Sequence, residues 1–476
     1  MRQLFLFFVI FLICVAYNSL HDSTANHIIT YRYHTPWRIC TRMYCNWYLE
    51  LQKAKGRRLP YSRTKNGRMG FYGLGGASYI GGAAIVAYTA FVYQFGISAI
   101  ALFLGTAFGF LLFIPYALKI HRYSTKKKFH TLSDYFYFKF DKGSGLLSAM
   151  ILLVVYFGML LNQFIAGSTI LAGISGWSYE TALLISSLII VLYLAAGGFS
   201  SVVKTDIFQY LILIALFLFM LVLFSTTNME KHMNLFTLER MNPVMTVVFI
   251  AFGIFIIFQS AEYWQRVYAA HDLHVVRKGL RGSAILVVIT GFVLSFVGLI
   301  ANAKVQGITS ANAFASGLEF MLPDQLIGAG LVLIFAAIMS SADTIIFVLA
   351  SSVAKDYSAH FKHKKQSIHR LMGQTRLFII LFGLLGFAFA WFFRDIIEVF
   401  KFITGLGFSI IPAAIGSFHF NIHPTAVKIS LTGGILYVAI LIITKTLIAE
   451  AAVASILIAA ILLFISQLII KRSYLK

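Results

Sequence analysis

The run Ala336-Ala337-Ile338-Met339-Ser340-Ser341-Ala342-Asp343-Thr344 lies inside an apolar stretch, Leu326 to Ala350, long enough to cross a bilayer. Three hydroxyls and a carboxylate fall between Ser340 and Thr344, flanked by Ala, Ile and Met. Hydrocarbon cannot solvate these oxygens, so something else must satisfy them. A small cation is the first candidate. The competing readings are that each hydroxyl bonds back to its own helix or to a neighbouring one, and that Asp343 is hydrated in a cytoplasmic cavity.

The rest of the chain fits a membrane setting. Its 476 residues are 59% hydrophobic and only 12% charged, with a mean hydropathy of +0.83. A soluble protein of this length carries about twice that charge. The sequence therefore predicts an all-α polytopic membrane protein rather than two or three soluble domains. The net charge of +22 does not point to nucleic acid, because the basic residues sit in short loops between apolar segments. Lys126-Lys127-Lys128 is such a loop, facing anionic lipid. Cys14, Cys40 and Cys45 have neither the pairing nor the His spacing of a zinc site or a disulfide framework.

About thirteen transmembrane spans of about 17–25 residues can be read. They are Leu4–Tyr17, Phe71–Phe95, Ile97–Leu118, Leu146–Ile170, Thr181–Ala196, Ile207–Phe224, Val244–Ser260, Ala284–Ala303, Leu326–Ser351, Leu377–Phe393, Val399–Phe418, Ala426–Ile443 and Ala451–Ile470. The first reads as a helix rather than a signal peptide, because no A-x-A-like cleavage site follows it. Residues 18–68 are basic and aperiodic. They read either as a partly ordered cytoplasmic loop or as an altered reading frame upstream of Lys53. Most of the 39 basic residues fall in the loops after odd-numbered spans, as at Arg57-Arg58, Arg277-Lys278, Lys362–Lys365 and Lys471-Arg472. This places the N-terminus outside and the C-terminus in the cytoplasm, of a plasma or bacterial inner membrane.

Spans two and seven both carry glycines at mid-membrane: Gly75-Gly76 with Gly81-Gly82, and Gly253. Each begins a block of five spans, and successive blocks enter the membrane from opposite sides. That is the pattern of inverted repeats with broken first helices, where transporters bind substrate. Gly also serves close helix packing. The chain divides accordingly into residues 1–70, a first block at 71–225, a second at 244–420, and C-terminal helices at 424–471.

Three constellations carry chemistry. Sodium wants about six oxygens at roughly 2.4 Å, like other hard cations. Ser340, Ser341, Asp343 and Thr344 supply some of them, and a broken helix such as 75–82 supplies the free carbonyls that an intact one lacks. The second constellation is Gly197-Gly198-Phe199-Ser200-Ser201-Val202-Val203-Lys204-Thr205-Asp206-Ile207-Phe208-Gln209. Here Asp206 is either a helix cap or a carboxylate on a cation exit path. The third is Glu262-Tyr263-Trp264-Gln265-Arg266, read either as an interfacial aromatic belt or as an inner gate.

Taken together and in order, Gly197–Gln209, Ala336–Thr344 with Ser351-Ser352 and Asp356, and Trp264-Gln265-Arg266 with Ala269-Ala270 resemble the solute:sodium symporter family. Its members include bacterial proline, pantothenate, sialic acid and sugar symporters. The resemblance runs from about Lys55 to Ile470. It implies a leucine-transporter-like 5+5 inverted repeat with one extra N-terminal and two extra C-terminal helices. It also implies a sodium site made of the carbonyls of Ala77, Ile80 and Ala337 and the hydroxyls of Ser340 and Ser341. A second cation site or exit path falls on Asp206, Asp343 and Thr344, where a carboxylate replaces one hydroxyl of some relatives. Two acids there can hold sodium or share a proton, so proton coupling stands as an alternative.

The solute side departs further. Sugar-transporting relatives place an amide and a Tyr at positions that here are Ala84 and Ile256, which disfavours sugar. Tyr79 stands where the proline relatives carry an acid. The polar candidates are Ser78, Tyr79, Tyr88, Asn162, Gln163, Gln259 and Ser260, each equally readable as helix–helix glue. The expected protein is a non-enzymatic, sodium-coupled symporter with a monomeric functional unit. It takes an amino acid, pantothenate or monocarboxylate, and has no cofactor besides the coupling ion and no nucleic-acid partner. A transporter-like sensor module and a channel are the readings from other classes.

Overall fold

The computed structural model describes residues 82–127, 129, 131–197, 241–304, 307–308, 312–321, 335, 338–339, 341–342, 344–354 and 368–473. These residues are helical or lie in short connections, with no strand among them. In chain order the helices are α1 (Gly82–Phe95), α2 (Ala101–Lys127), α3 (Leu132–Lys139), α4 (Lys142–Ser175), α5 (Tyr179–Gly197), α6 (Pro243–Gln259), α7 (Ala261–Ala269) and α8 (Leu273–Lys304). They continue with α9 (Ala313–Met321), α10 (Thr344–Ala354), and α11 (Ile368–Phe392), α12 (Ile396–Phe408), α13 (Ile411–Gly416), α14 (Pro424–Ile443) and α15 (Ala449–Ser473). Among the described residues, 7 segments are long and apolar enough to cross a membrane, or 8 if the bent pair α6 and α7 counts as one span. Spans Leu4–Tyr17 and Ile207–Phe224, with residues 18–68, lie outside the described residues.

One of those segments, Ala84–Lys127, runs for 44 residues, yet it is two spans. Gly96 adopts φ 65° and opens a 3-10 turn over Gly96–Ile100, a left-handed conformation that glycine takes without Cβ strain. The Tyr88 and Phe103 rings then meet with centroids 4.1 Å apart, whereas fifteen residues of straight helix would hold them about 22 Å apart. This is the boundary expected between Phe95 and Ile97.

The helices sort into two groups. The first contains α1, α2, α6 and α8. Small residues let their backbones meet, because membrane helices associate through close packing rather than hydrophobic expulsion. A Cβ on Gly105 would lie 2.3 Å from the Ile250 carbonyl oxygen, and one on Gly253 would lie 2.2 Å from that of Leu102. Gly298 of α8 faces Val92 of α1 in the same way. The second group contains α4, α5 and α11. Gly383 lies against Val191 and Gly386 against Phe164, and the Ser168 and Ser186 hydroxyls meet at 3.3 Å. Tyr179 donates to the Ala390 carbonyl at 3.0 Å, and Arg394 pairs with Glu180 at 2.6 Å. Helix α12 lies against α4, with Ile403 and Val399 facing Gly158.

Polar residues punctuate the helix starts. Thr131 and Asp134 close a capping box on α3, Asn242 caps α6 ahead of Pro243, and His423 caps α14 ahead of Pro424. Asp141 caps α4 through the Ser144 N–H and pairs with Lys428 of α14 at 2.9 Å. Burial raises the Asp141 carboxyl, but the Lys428 ammonium and the Ser144 N–H outweigh it and bring it down to about 2. A depressed carboxylate stabilises the fold fully above its unfolded value of about 3.9 and loses that contribution as pH falls through its folded value. Both side chains are about a third exposed, so screening keeps the pair below about 1 kcal/mol. Asp141→Asn retains the cap and removes the charge. Its thermal midpoint is expected slightly below the wild type at neutral pH, with the gap closing as the pH falls from about 4 to about 2. A gap independent of pH contradicts this role for the pair.

Candidate functional site

Helix α6 stops at Ser260, where the backbone turns extended (φ −69°, ψ 103°), and restarts as α7 with its axis bent by 44°. The residues at the break dictate it. Ser260 returns both its N–H (3.0 Å) and its hydroxyl (2.8 Å) to the Ile256 carbonyl, the local side-chain bonding that competes with helix continuation. Backbone groups freed inside a membrane need partners. The Trp264 indole N–H donates to the Phe258 carbonyl at 3.0 Å, and the Tyr263 N–H donates to that of Ser260 at 3.0 Å. From α4, the Tyr156 hydroxyl accepts the Glu262 N–H at 2.9 Å. The break is thus stitched across to the other helix group.

Below the break toward α7, aromatic rings close the bundle. Trp264 is 1% exposed and packs against Phe113 and Tyr135, with centroids at 6.0 and 5.3 Å. Phe418 stacks on Tyr135, and Tyr116 meets both Phe258 and Phe418 edge-on. His121 Nδ1 lies 2.9 Å from the Val267 carbonyl. Trp264 is therefore a buried wedge and not part of an interfacial belt. The Arg266 guanidinium lies over the Tyr263 ring at 5.8 Å.

Gly253 was expected to mark the broken helix, but it lies within unbroken α6 and serves the crossing with α2. The break falls at Ser260, whose hydroxyl supplies an alternative hydrogen bond that glycine lacks. Span eleven is interrupted too, between α12 and α13, where the Ser409 hydroxyl bonds back to Leu406.

Of the solute candidates, Tyr88 bonds Ser295 at 2.7 Å inside the first helix group. Ser260 is occupied by Ile256, and Gln163 is 7% exposed on α4. Asn162 and Gln259 are each 1% exposed. Of the cation candidates, Ser341 and Thr344 are half-buried and helical. Their neighbours Ile338 and Phe335 pack beside Gly167 of α4, and Met339 and Ala342 are buried. Ala77, Ile80, Ala337, Ser340, Asp206, Asp343, Ser78 and Tyr79 lie outside the described residues. Sequence reasoning missed Tyr156; no local motif marks a tyrosine whose partner lies 106 positions away. Among the described residues, no three His, Cys, Asp or Glu side chains gather as a metal site.

Two packed helix groups, one of them with a broken helix, are the arrangement in which many secondary transporters build their binding sites. Residues 66–421 match the model of the Sodium:solute symporter family, and the chain belongs to that family. It is 25% identical to the sodium/pantothenate symporter of Escherichia coli (strain K12) over 266 residues, 52% of this chain and 54% of that one. It is 26% identical to the sodium/proline symporter of the same strain over 347 residues, 66% of this chain and 68% of that one. The chain thus spans about half the length of the pantothenate symporters it matches. In three dimensions it resembles a substrate-bound, outward-open Na+-coupled sialic acid symporter. The TM-score is 0.69 at 17% identity, covering 86% of this chain and 90% of that one. The same fold appears in Mhp1, a nucleobase-cation-symport-1 family transporter, at TM-score 0.54, 11% identity and coverage of 83% and 91%.

Proposed function

We propose that this protein is a sodium-coupled symporter that imports a small organic solute by alternating access. The observation that carries the reading is the break at Ser260, held by Tyr156 of α4 and Trp264 of α7. Such a joint lets one helix group rock against the other around a mid-membrane site. In this reading sodium is taken by the carbonyls of Ala77, Ile80 and Ala337 with the hydroxyls of Ser340 and Ser341. It bridges the two groups, favours the outward-open arrangement and completes the solute site. Closure then exposes the site inward, and sodium leaves past Asp206, with Asp343 and Thr344 along the route. The membrane potential contributes about 2.3 kcal/mol per charge per 100 mV. No covalent intermediate forms. The protein works as a monomer in a plasma or bacterial inner membrane, with its N-terminus outside and its C-terminus in the cytoplasm.

Proteoliposomes test this. The relatives' solutes, proline and pantothenate, are the first to try, followed by other amino acids and monocarboxylates. An inward sodium gradient is expected to concentrate one of these solutes, while an equal potassium gradient does not. Unlabelled solute inside should speed entry of labelled solute, because a carrier exchanges across one alternating site. Flux without counterflow would identify a channel, and sodium-independent flux would overturn the coupling.

A further inference from the structure

Two complete carboxamides are orphaned inside the helix groups. Neither Oδ1 nor Nδ2 of Asn162, and neither Oε1 nor Nε2 of Gln259, has a hydrogen-bond partner among the described residues. Both residues are 1% exposed. Buried amides without partners are rare because each forfeits the hydrogen bonds it made in water, so a pair of them points to a missing partner.

Their placement narrows what that partner is. Gln259 is the last residue of α6, directly before the break. Its carboxamide occupies the space that a side chain at position 407 would take: a Cβ there would lie 2.2 Å from Cδ and Nε2. Gly407 thus reserves the seat of the Gln259 amide. Val399, Ile403 and Gly407 form one stripe of α12, and Gly158 of α4 abuts the same stripe. Asn162 follows Gly158 by one helical turn and shares its face. Gln259 thus abuts α12 at Gly407, and Asn162 lies on the face of α4 that meets α12, so the two amides come from opposite helix groups.

The start of α7, which could attract a carboxylate, is already engaged: Tyr156 takes the Glu262 N–H, Ser260 takes the Tyr263 N–H, and the acidic side chain of Glu262 stands in that first turn. A carboxamide offers one acceptor and two donors with no net charge. Its complement is an uncharged edge carrying a carbonyl beside an N–H.

We propose that Asn162 and Gln259, the latter positioned by Gly407, form the hydrogen-bonding edge of the solute site, and that the solute presents to them an amide-, ureide- or imide-type group. This rests on the symporter reading and deepens it.

The test uses thermal unfolding of the full-length detergent-purified protein in sodium. Uracil and nicotinamide serve as uncharged amide-type probes, and pyruvate and proline as carboxylates. At least one amide-type probe should raise the midpoint of the wild type. Gln259→Leu, Asn162→Leu and Gly407→Ala, each first shown to be monodisperse by size exclusion, should abolish that shift. Gly407→Ala retains both carboxamides and only displaces that of Gln259, so its loss of binding separates positioning from mere removal of a polar atom. No response to either amide-type probe overturns the inference, and so does a response that survives in Gln259→Leu and Asn162→Leu. Failure of sodium itself to stabilise the wild type would instead strike the symporter reading beneath it.

Discussion

Gly253→Val is expected to abolish the folded, monodisperse protein. The Cβ it adds would sit 2.2 Å from the Leu102 carbonyl oxygen and 2.5 Å from the Thr106 nitrogen, both backbone atoms of α2. On the other side of the crossing, Gly105 and Gly109 meet the backbone of Ile250 and Ile254 just as closely. Overpacking a core commonly costs about 1–3 kcal/mol when side chains can shift. Here no side chain stands in the way, so α2 and α6 must separate along the whole crossing. Fluorescence-detected size exclusion of the extracted protein measures the outcome. Gly282→Ala is the control, because nothing lies within 4 Å of the Cβ it adds. Wild-type yield and midpoint for Gly253→Val would contradict the helix crossing described above.

Trp264→Ala is expected to have the next largest effect. It empties a fully buried indole site, worth about 3–5 kcal/mol, and leaves the Phe258 carbonyl without its donor. The rings of Phe113 and Tyr135 lose their wedge at the same time. The thermal midpoint should fall markedly, and any sodium-driven uptake should be lost. Trp264→Phe keeps most of the packing and forfeits only the indole N–H, so it should fall between the two. Equal behaviour of Trp264→Ala and wild type would mean that the indole does not hold the break.

Much of this architecture is legible in the sequence because hydropathy and helix length are one-dimensional. The Phe95 boundary, the apolar core of α4 and the final pair α14 and α15 follow from runs of apolar residues. The break does not. Gly253 carried the sequence signal for a discontinuity, yet glycine in a membrane helix serves packing as readily as bending. Ser260 carried almost none, since a serine bonding back to its own helix has no pattern beyond its identity. The short α3 went unread although Thr131 and Asp134 have capping-box spacing, because eight mixed residues in a basic loop give no hydropathy peak. The basic extension of α8 back to Leu273 escaped for a similar reason: Arg277, Lys278 and Arg281 depress the average that marks a span. Tyr156, the partner of the break on α4, became visible only once distant segments were brought together. The unpartnered amides of Asn162 and Gln259 show the same limit. Sequence names them as polar residues in apolar helices, and only the packing shows which polar residues there are satisfied.

In the proposed mechanism sodium binds at the serine pair of the ninth span and favours one arrangement of the two helix groups. A ligand that binds only the folded state raises its stability with the logarithm of concentration. The direct measurement is therefore the thermal midpoint of the purified protein against sodium, at constant ionic strength maintained with choline. The wild type is predicted to rise and saturate. Ser340→Ala and Ser341→Ala should each need about tenfold more sodium for the same rise, a loss of about 1.4 kcal/mol. A wild type indifferent to sodium, or a response unchanged in both variants, would contradict the account.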